Sequence, residues 1–342
     1  MLYIHIPFCD SKCHYCAFNS YITKNHLKKD YFEALKTQFE NEEKPTKFYS
    51  IFIGGGTPSV MNLKFYEKLF NILTPYIDKN TEISIEANPN STSIEWLKGL
   101  KKFGVNRISF GVQSFNDEKL KFLGRNHTKE TALISIKNAK QIFDNVNLDL
   151  IYSTQLDNKK LLENDLNIAL SLDITHISAY SLTIEKNTEF AKTPQKRKND
   201  EDLDIWFIEQ IKNNFHQYEI SNFGNICRHN LGYWELKNYI GLGAGAVGYK
   251  NNQRFYTKTL PEEYIKNPLF KEIEKLSKFE ILEEKVLLGL RSIIGIDKNI
   301  LNENQITKAI ELVNENQLTF QNNRFYSKDF LLADALSLYI LN

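Results

Sequence analysis

The sequence has few cysteines, hardly any excess of charge of either sign and no long hydrophobic run. Its 342 residues include four cysteines, and the formal net charge is +1 at pH 7. Such a small charge gives no strong attraction to nucleic acid or to a membrane surface. No apolar stretch reaches the roughly 18 residues of a membrane span, and residues 1–7 lack the basic start and apolar core of a signal peptide. We therefore expect a cytoplasmic protein with no nucleic-acid partner.

Strand-like and helix-like segments alternate along the first half of the chain. The amphipathic stretches 30–43, 63–77, 130–143 and 160–172 separate short apolar runs that are rich in β-branched residues. The predicted strands are residues 2–6, 49–53, 82–87, 106–111, 146–151 and 176–181. Repeated strand–helix units predict an α/β fold with a parallel sheet. Eight such units close a barrel, so six predict a partial (β/α)6 barrel.

The pattern changes beyond residue 190, which suggests three parts of the chain. We predict a barrel core at 1–190 and a barrel extension at 191–277, which begins with a charged loop at 192–202. Residues 278–342 are expected to form a small C-terminal α+β domain, with a hairpin at 317–326. The chain is long enough for one large domain with such an appendage.

Three of the four cysteines are clustered, with the spacing C-x3-C-x2-C at Cys9, Cys13 and Cys16. Clustered cysteines in a cytosolic protein more often hold a metal than form a disulfide. Three thiolates can bind three corners of an iron–sulfur cubane and leave the fourth iron open for another ligand. Structural zinc is the alternative, but it needs a fourth ligand, for which His14 is the only near candidate.

Residues 3–16 resemble the cluster loop of the radical S-adenosylmethionine (SAM) superfamily. In detail they are similar to the oxygen-independent coproporphyrinogen III dehydrogenases and to the related heme chaperones of the HemW type. This resemblance implies a [4Fe–4S] cluster on Cys9, Cys13 and Cys16 and a partial (β/α)6 radical SAM barrel. It also implies that the open iron chelates the amino and carboxylate groups of SAM.

Several polar and glycine residues near the ends of the predicted strands match the SAM-binding motifs of this superfamily. A zwitterionic ligand with a ribose needs a carboxylate for its ammonium, acceptors for its hydroxyls and a guanidinium for its own carboxylate. Residues 54–58 resemble the GGTP motif, and two further positions, Tyr3 and Val247, match residues that line the SAM site of the dehydrogenase. The SAM-binding residues that the resemblance implies are Tyr3, Gly55, Gly56, Thr57, Glu86, Gln113, Arg125, Asp149 and Val247.

Three features favour the chaperone branch over the dehydrogenase branch. The cluster strand opens the sequence, without the extension that precedes it in the dehydrogenase. Phe18 stands where the dehydrogenase has a further cysteine. Residues 227–234 resemble the HNxxYW motif of heme chaperones, in which imidazole is a suitable axial ligand for heme iron. The resemblance implies heme binding at His229, Tyr233 and Trp234, and Cys227 is an alternative ligand.

The sequence thus predicts a heme chaperone with a [4Fe–4S] cluster, SAM and heme as cofactors, which delivers heme to respiratory acceptor proteins. The resemblance also allows an electron donor, a homodimer and contact with a membrane through the acceptor. Two alternatives stay open. One is a coproporphyrinogen III dehydrogenase or another radical SAM oxidoreductase acting on a tetrapyrrole, and the other is an α/β barrel with structural zinc. No residue is assigned a catalytic role.

Overall fold

The computed structural model describes all 342 residues, and its largest element is an eight-stranded sheet. These strands are β1 (Leu2–Ile6), β2 (Ser50–Gly55), β3 (Glu82–Ala87), β4 (Arg107–Gln113), β5 (Asn145–Tyr152), β6 (His176–Ser181), β7 (Asn222–Gly224) and β8 (Ile240–Leu242). Their order is β7-β6-β5-β4-β3-β2-β1-β8. All neighbouring strands are parallel except β6 and β7, which are antiparallel. The predicted α/β fold with six strand–helix units is confirmed.

Twelve α-helices accompany the strands, and those of the first half cover the sheet. They are α1 (Lys28–Asn41), α2 (Leu63–Leu73), α3 (Ile94–Lys102), α4 (Asp117–Phe122), α5 (Lys129–Lys140), α6 (Lys159–Ser171), α7 (Glu201–Lys212), α8 (Arg228–Trp234), α9 (Pro261–Lys266), α10 (Lys278–Leu290), α11 (Glu303–Asn314) and α12 (Ala333–Leu341). Side-chain caps fix where many of them begin; Asn158, for example, accepts the N–H of Leu161 at the start of α6. None of the helices is both long and apolar enough to cross a bilayer.

The main hydrophobic core joins the sheet to its helices and contains 52 buried residues, including Ile4, Ile53, Ile85 and Ile108 on adjacent strands. Strands of a parallel sheet are apolar because helices cover them. On the inner face of the barrel, however, polar residues such as Ser84 and Arg107 alternate with these apolar ones. The interior of the barrel is therefore polar enough to hold a charged ligand.

Two small antiparallel sheets follow in the last third of the chain. One contains β9 (Val247–Lys250), β10 (Gln253–Tyr256) and β11 (Glu272–Lys275), and the other contains β12 (Ile296–Asp297), β13 (Leu318–Gln321) and β14 (Arg324–Ser327). The hairpin of β13 and β14 lies where the sequence predicts one. A separate core of 11 buried residues, from Val286 to Ile340, joins this hairpin to α10–α12. The domain boundaries at 190 and 277 stay predictions.

Strand β4 is longer than the sequence predicts and ends irregularly. Its register against β5 shifts between Gly111 and Gln113. Gln113 adopts a φ of 72°, a left-handed conformation that is unfavourable for a residue other than glycine. The shift changes the direction of the chain at the end of β4 and thereby the orientation of the Gln113 side chain. This end of β4 lies at the edge of the sheet where parallel α/β folds have their functional sites.

Candidate functional site

The loop after β1 folds back on itself and carries three cysteines to one cavity. The N–H of Tyr21 donates to the carbonyl of Pro7 at 2.8 Å, and the N–H of Cys9 donates to the carbonyl of Tyr21 at 3.2 Å. The cavity has a volume of about 440 Å³, and Cys9, Cys13 and Cys16 all line it. The predicted cysteine triplet therefore faces a common space at the carboxyl ends of the parallel strands.

Two of the thiols have polar partners from other strand ends. The Cys9 thiol lies 3.2 Å from the hydroxyl of Thr57, and a guanidinium N–H of Arg125 donates to the Cys13 sulfur at 3.3 Å. Burial raises the pKa of Cys9, against a smaller opposing effect of the Thr57 hydroxyl. The set of three cysteines fits a [4Fe–4S] cluster, because bound iron itself deprotonates the thiols that ligate it.

His14, the candidate fourth zinc ligand, is held outside this cavity. One ring nitrogen lies 2.9 Å from the carbonyl of Phe122, and the ring packs against Phe190 with centroids 5.7 Å apart. Moreover, no three His, Cys, Asp or Glu side chains of the chain are grouped closely enough to hold a single metal ion. The placement of His14 speaks against a structural zinc site that includes it.

Seven of the nine residues predicted to bind SAM line the same cavity as the cysteines. They are Gly55, Gly56, Thr57, Glu86, Gln113, Arg125 and Asp149. Gly56 is required by space, because a Cβ atom there would lie 2.7 Å from the carbonyl oxygen of Phe8 and 3.0 Å from the sulfur of Cys9. The glycines after β2 therefore allow the cluster loop to approach the strand closely.

Two carboxyl groups, Glu86 and Asp149, mark the inner end of the cavity. Burial, followed by the charge of Asp149, raises the pKa of Glu86 to about 8, although the N–H of Gly55 donates to it at 3.0 Å. Burial also raises the pKa of Asp149, despite a hydrogen bond of 2.7 Å from the Asn147 amide. A bound cation would offset the cost of ionising these buried groups. The pair therefore suits the ammonium and hydroxyl groups of a ligand.

The Arg125 side chain is held in place by a hydrogen bond to Asn88, a residue that the sequence analysis does not single out. The guanidinium donates to the Asn88 side-chain oxygen at 2.7 Å and to the carbonyl of Gly111 at 2.5 Å. The Asn88 amide in turn donates to the hydroxyl of Thr57 at 3.2 Å. The sequence signal that could have identified Asn88 is its position as a polar residue directly after β3, two residues beyond Glu86. Arg125 is thus fixed beside Cys13, where a ligand carboxylate can reach it.

Gln113 provides a polar atom that has no partner within the protein. Its side chain is buried, and its carbonyl oxygen accepts no hydrogen bond. Buried polar atoms without a partner are rare in native proteins and call for an explanation. The strained backbone of the same residue also marks a functional position. An acceptor waiting in the cavity fits a ligand with N–H or O–H donors, as SAM has.

The comparisons with known proteins agree with this geometry. The family model of the Radical SAM superfamily matches residues 3–161. The heme chaperone HemW of Bacillus subtilis is 37% identical over 319 residues, which cover 86% of this chain and 84% of that protein. The chain belongs to the HemW family of radical SAM proteins. HemW of Escherichia coli is 37% identical over 263 residues, or 72% of this chain and 69% of its own.

A solved structure supports the fold of this HemW family member. Coproporphyrinogen III oxidase (HemN) of Escherichia coli, a radical SAM enzyme, superposes with a TM-score of 0.83 at 19% sequence identity. The match covers 99% of this chain and 89% of that one. At this identity the likeness shows the shared architecture, and the predicted radical SAM family and fold are both confirmed.

Two of the residues predicted to bind SAM lie apart from the cysteine cavity. Tyr3 lines a neighbouring cavity in the barrel interior, and its hydroxyl lies 2.8 Å from a ring nitrogen of His5. Val247 is the first residue of β9 and lines neither cavity. Their role in SAM binding stays a prediction.

The HNxxYW-like segment of this HemW family member forms α8, which packs at the base of the barrel. His229 is completely buried, with one ring nitrogen 2.8 Å from the hydroxyl of Ser50 and the other 2.9 Å from the hydroxyl of Tyr233. Burial, followed by the charge of the N-terminal amine, lowers the pKa of His229 to about 3, so the ring is neutral. Cys227 is buried as well. In this arrangement neither His229 nitrogen is free, and heme ligation by this residue stays a prediction that requires the ring to leave both hydroxyls.

Proposed function

We propose that this protein is a heme chaperone that uses a [4Fe–4S] cluster and SAM and delivers heme to acceptor proteins. The observation that carries the proposal is the similarity to proteins named heme chaperone HemW over most of both chains. The shared cavity of Cys9, Cys13 and Cys16 with the polar strand ends supports the cluster and SAM parts. Respiratory proteins are the proposed acceptors, and an electron donor is the proposed second partner.

Each polar group of the cavity has a distinct task in this proposal. The three thiolates hold the cluster, which supplies an open iron site and an electron when bound. Arg125, positioned by Asn88, binds the SAM carboxylate, because its planar fork matches a carboxylate. Glu86 and Asp149 bind the ammonium and the ribose hydroxyls, and Gln113 accepts a hydrogen bond from the remaining donors.

Heme is proposed to bind beside α8, with His229 as axial ligand and Tyr233 and Trp234 packed on the porphyrin. Trp234 is partly exposed, so part of this surface is accessible without rearrangement. His229 has to break two hydrogen bonds to reach an iron, which together oppose ligation by about 2 kcal/mol. We therefore expect slow or partner-dependent heme ligation rather than immediate capture.

The first test combines heme binding with heme transfer under anaerobic conditions. Cluster-loaded wild type, His229→Ala and the exposed-histidine control His216→Ala are titrated with heme and then mixed with a heme-free cytochrome. We expect wild type and His216→Ala to bind and transfer heme, and His229→Ala to show altered heme spectra. Unchanged spectra in His229→Ala remove this residue as the ligand, and absence of transfer by wild type contradicts the chaperone function.

The second candidate is an oxidoreductase that acts on a tetrapyrrole. This candidate is favoured by the complete set of polar residues around the cysteines, because a protein that only carries heme would not need them. The same cluster-loaded protein is supplied with SAM, a reductant and coproporphyrinogen III, and the products are weighed by mass spectrometry. Loss of two carboxylates over many turnovers would establish this enzyme activity in place of the chaperone function.

A further inference from the structure

A second cavity lies inside the barrel, on the inner side of the cluster cavity. Its volume is about 310 Å³, at the lower end of the range of small-molecule sites. Glu86, Asp149 and Tyr180 line both cavities, so the two spaces meet at these residues. In the function proposed above, the cluster and SAM occupy the outer cavity, and no ligand is assigned to the inner one.

The inner cavity is lined by a buried cation with which no carboxylate forms an ion pair or a hydrogen bond. Arg107, the first residue of β4, lines this cavity, is only 2% exposed, and its Nε atom has no hydrogen-bond partner. The nearest carboxylates are engaged elsewhere. Glu82 accepts the N–H groups of Arg228 and His229, each at 3.0 Å, and Asp149 accepts from Asn147 at 2.7 Å. An unpaired buried guanidinium is unfavourable unless an anion or water reaches it.

A second unpartnered donor lies next to this cation. Ser84 pairs with Arg107 in the register of β3 and β4, is completely buried, and its hydroxyl has no hydrogen-bond partner. Ser84 lies two residues before Glu86 on β3, so both side chains point to the barrel interior. Ser84 is enclosed beside Arg107 and is not itself part of the cavity lining, which includes Asn230 of α8. Adjacent strands thus place a cation and a hydroxyl side by side, and both have donor atoms without a hydrogen-bond partner.

The walls around this donor set permit an anion to bind. Glu86 lines the cavity, but burial and then the charge of Asp149 raise its pKa to about 8, so it is largely protonated at pH 7. Asp149 is at the junction with the cluster cavity and is bound by amide and hydroxyl donors. At its end of the cavity, Arg107 forms no ion pair with a carboxylate. The nearby groups of Cys227, Tyr218, Glu82 and Asp149 nevertheless raise its pKa against the effect of burial, so the guanidinium stays charged.

We propose that the inner cavity binds a carboxylate group at Arg107 and Ser84. Guanidinium and hydroxyl donors match the acceptors of a carboxylate, and Arg binds this group better than a point charge does. The carboxylate belongs either to a small free acid or to a side arm of a larger ligand whose bulk occupies the adjoining cluster cavity. The inference does not depend on heme delivery, since a free acid can bind whether or not heme does.

The test uses the full-length, cluster-loaded protein and two probes. The first is ¹³C-labelled propionate, followed by NMR line broadening, with propionamide as the uncharged control of the same shape. The second is heme, followed by absorption, with heme dimethyl ester as the control without carboxylates. The variants are Arg107→Gln and Ser84→Ala, and the matched control is Ser337→Ala, a buried serine in the C-terminal part.

We expect Arg107→Gln to lower the affinity for the bound probe by roughly ten- to a hundredfold, since a charge-assisted hydrogen bond is lost. Ser84→Ala should lower the same affinity by about three- to tenfold. It should not destabilise the fold, because the hydroxyl has no hydrogen-bond partner to lose. Effects on propionate indicate a free acid. Effects on heme but not on its dimethyl ester indicate a propionate arm of heme.

Ser84→Ala is the decisive variant, because Arg107→Gln alters a buried charge and can disturb folding. If Ser84→Ala binds both probes as tightly as wild type and Ser337→Ala do, the proposal is overturned, whatever Arg107→Gln shows. Heme transfer is measured in parallel with the same variants. Normal propionate binding without heme transfer would separate a failure of the chaperone function from a failure of this site.

Discussion

The ionisation of Glu86 should control SAM affinity between pH 7 and pH 9. Burial, with the charge of Asp149 as the second cause, raises the pKa of this carboxyl from 4.5 to about 8. At pH 7 only about a tenth of the empty sites carry an ionised Glu86, whereas at pH 9 about nine tenths do. If SAM requires the ionised form, the contribution of Glu86 to affinity rises about tenfold over this interval.

The measurement compares wild type with Glu86→Gln by anaerobic calorimetry at several pH values. The α-amino group of SAM titrates in the same range, so the ratio of the two affinities, rather than the affinity alone, reports on Glu86. Calorimetry in buffers with different ionisation enthalpies should also show proton release from wild type at pH 7 that Glu86→Gln lacks. A ratio that stays constant from pH 7 to pH 9 would refute the reasoning.

The same shift has a consequence for stability, with a defined sign. The folded pKa of Glu86 exceeds the unfolded value, so the folded state binds the proton more tightly. The stability that this gives is complete below pH 4.5 and is lost as the pH rises through 8. Glu86→Gln should therefore gain on wild type by at most about 1.4 kcal/mol per pH unit within this window. Thermal unfolding of the empty proteins at pH 5 and pH 9 provides the measurement.

Three further predictions concern the cluster loop and α8. Cys13→Ser should lose bound iron and acid-labile sulfide, whereas Cys227→Ser should keep both, as metal and sulfide analysis after reconstitution will show. Gly56→Ala should destabilise the fold by about 1–3 kcal/mol, because the new Cβ would lie under 3.0 Å from two backbone carbonyl oxygens. Its unfolding temperature and its iron content should therefore both be lower than those of wild type. Ser50→Ala removes one of the two partners of His229, so heme affinity in absorption titrations should rise up to about fivefold. An unchanged affinity would argue against ligation by this histidine.

The sequence predicts the strands best where apolar runs are bounded by turn residues. The bounds 2–6, 82–87 and 176–181 agree with β1, β3 and β6. From the sequence, β4 is predicted to end at residue 111, because the register shift that extends the strand to Gln113 depends on its pairing with β5. Strands β7 and β8 have three residues each, too few to show a period, and β10 is only partly buried. Such elements are determined by tertiary pairing rather than by local pattern.

The candidate site was predictable to the extent that its residues follow strand ends. A parallel sheet brings these ends together, so the cysteine loop, Glu86 and Asp149 had to lie near one another. Asn88 and Ser84 were missed, because a single polar residue within or after a strand has many ordinary explanations. Arg107 was also overlooked, since its lack of a partner becomes visible only when the neighbouring carboxylates and their donors are located.

The position of α8 links the proposed heme ligand to the barrel interior. His229 is held between Ser50 and Tyr233, and Tyr233 lines the inner cavity. When His229 moves to an iron, the Tyr233 hydroxyl loses its partner next to that cavity. An acid bound at Arg107 that accepts a hydrogen bond from Tyr233 would replace this partner and favour the release of His229. Because coupling between two binding sites is reciprocal, propionate should then raise heme affinity by the same factor by which heme raises propionate affinity, and Tyr233→Phe should abolish both effects.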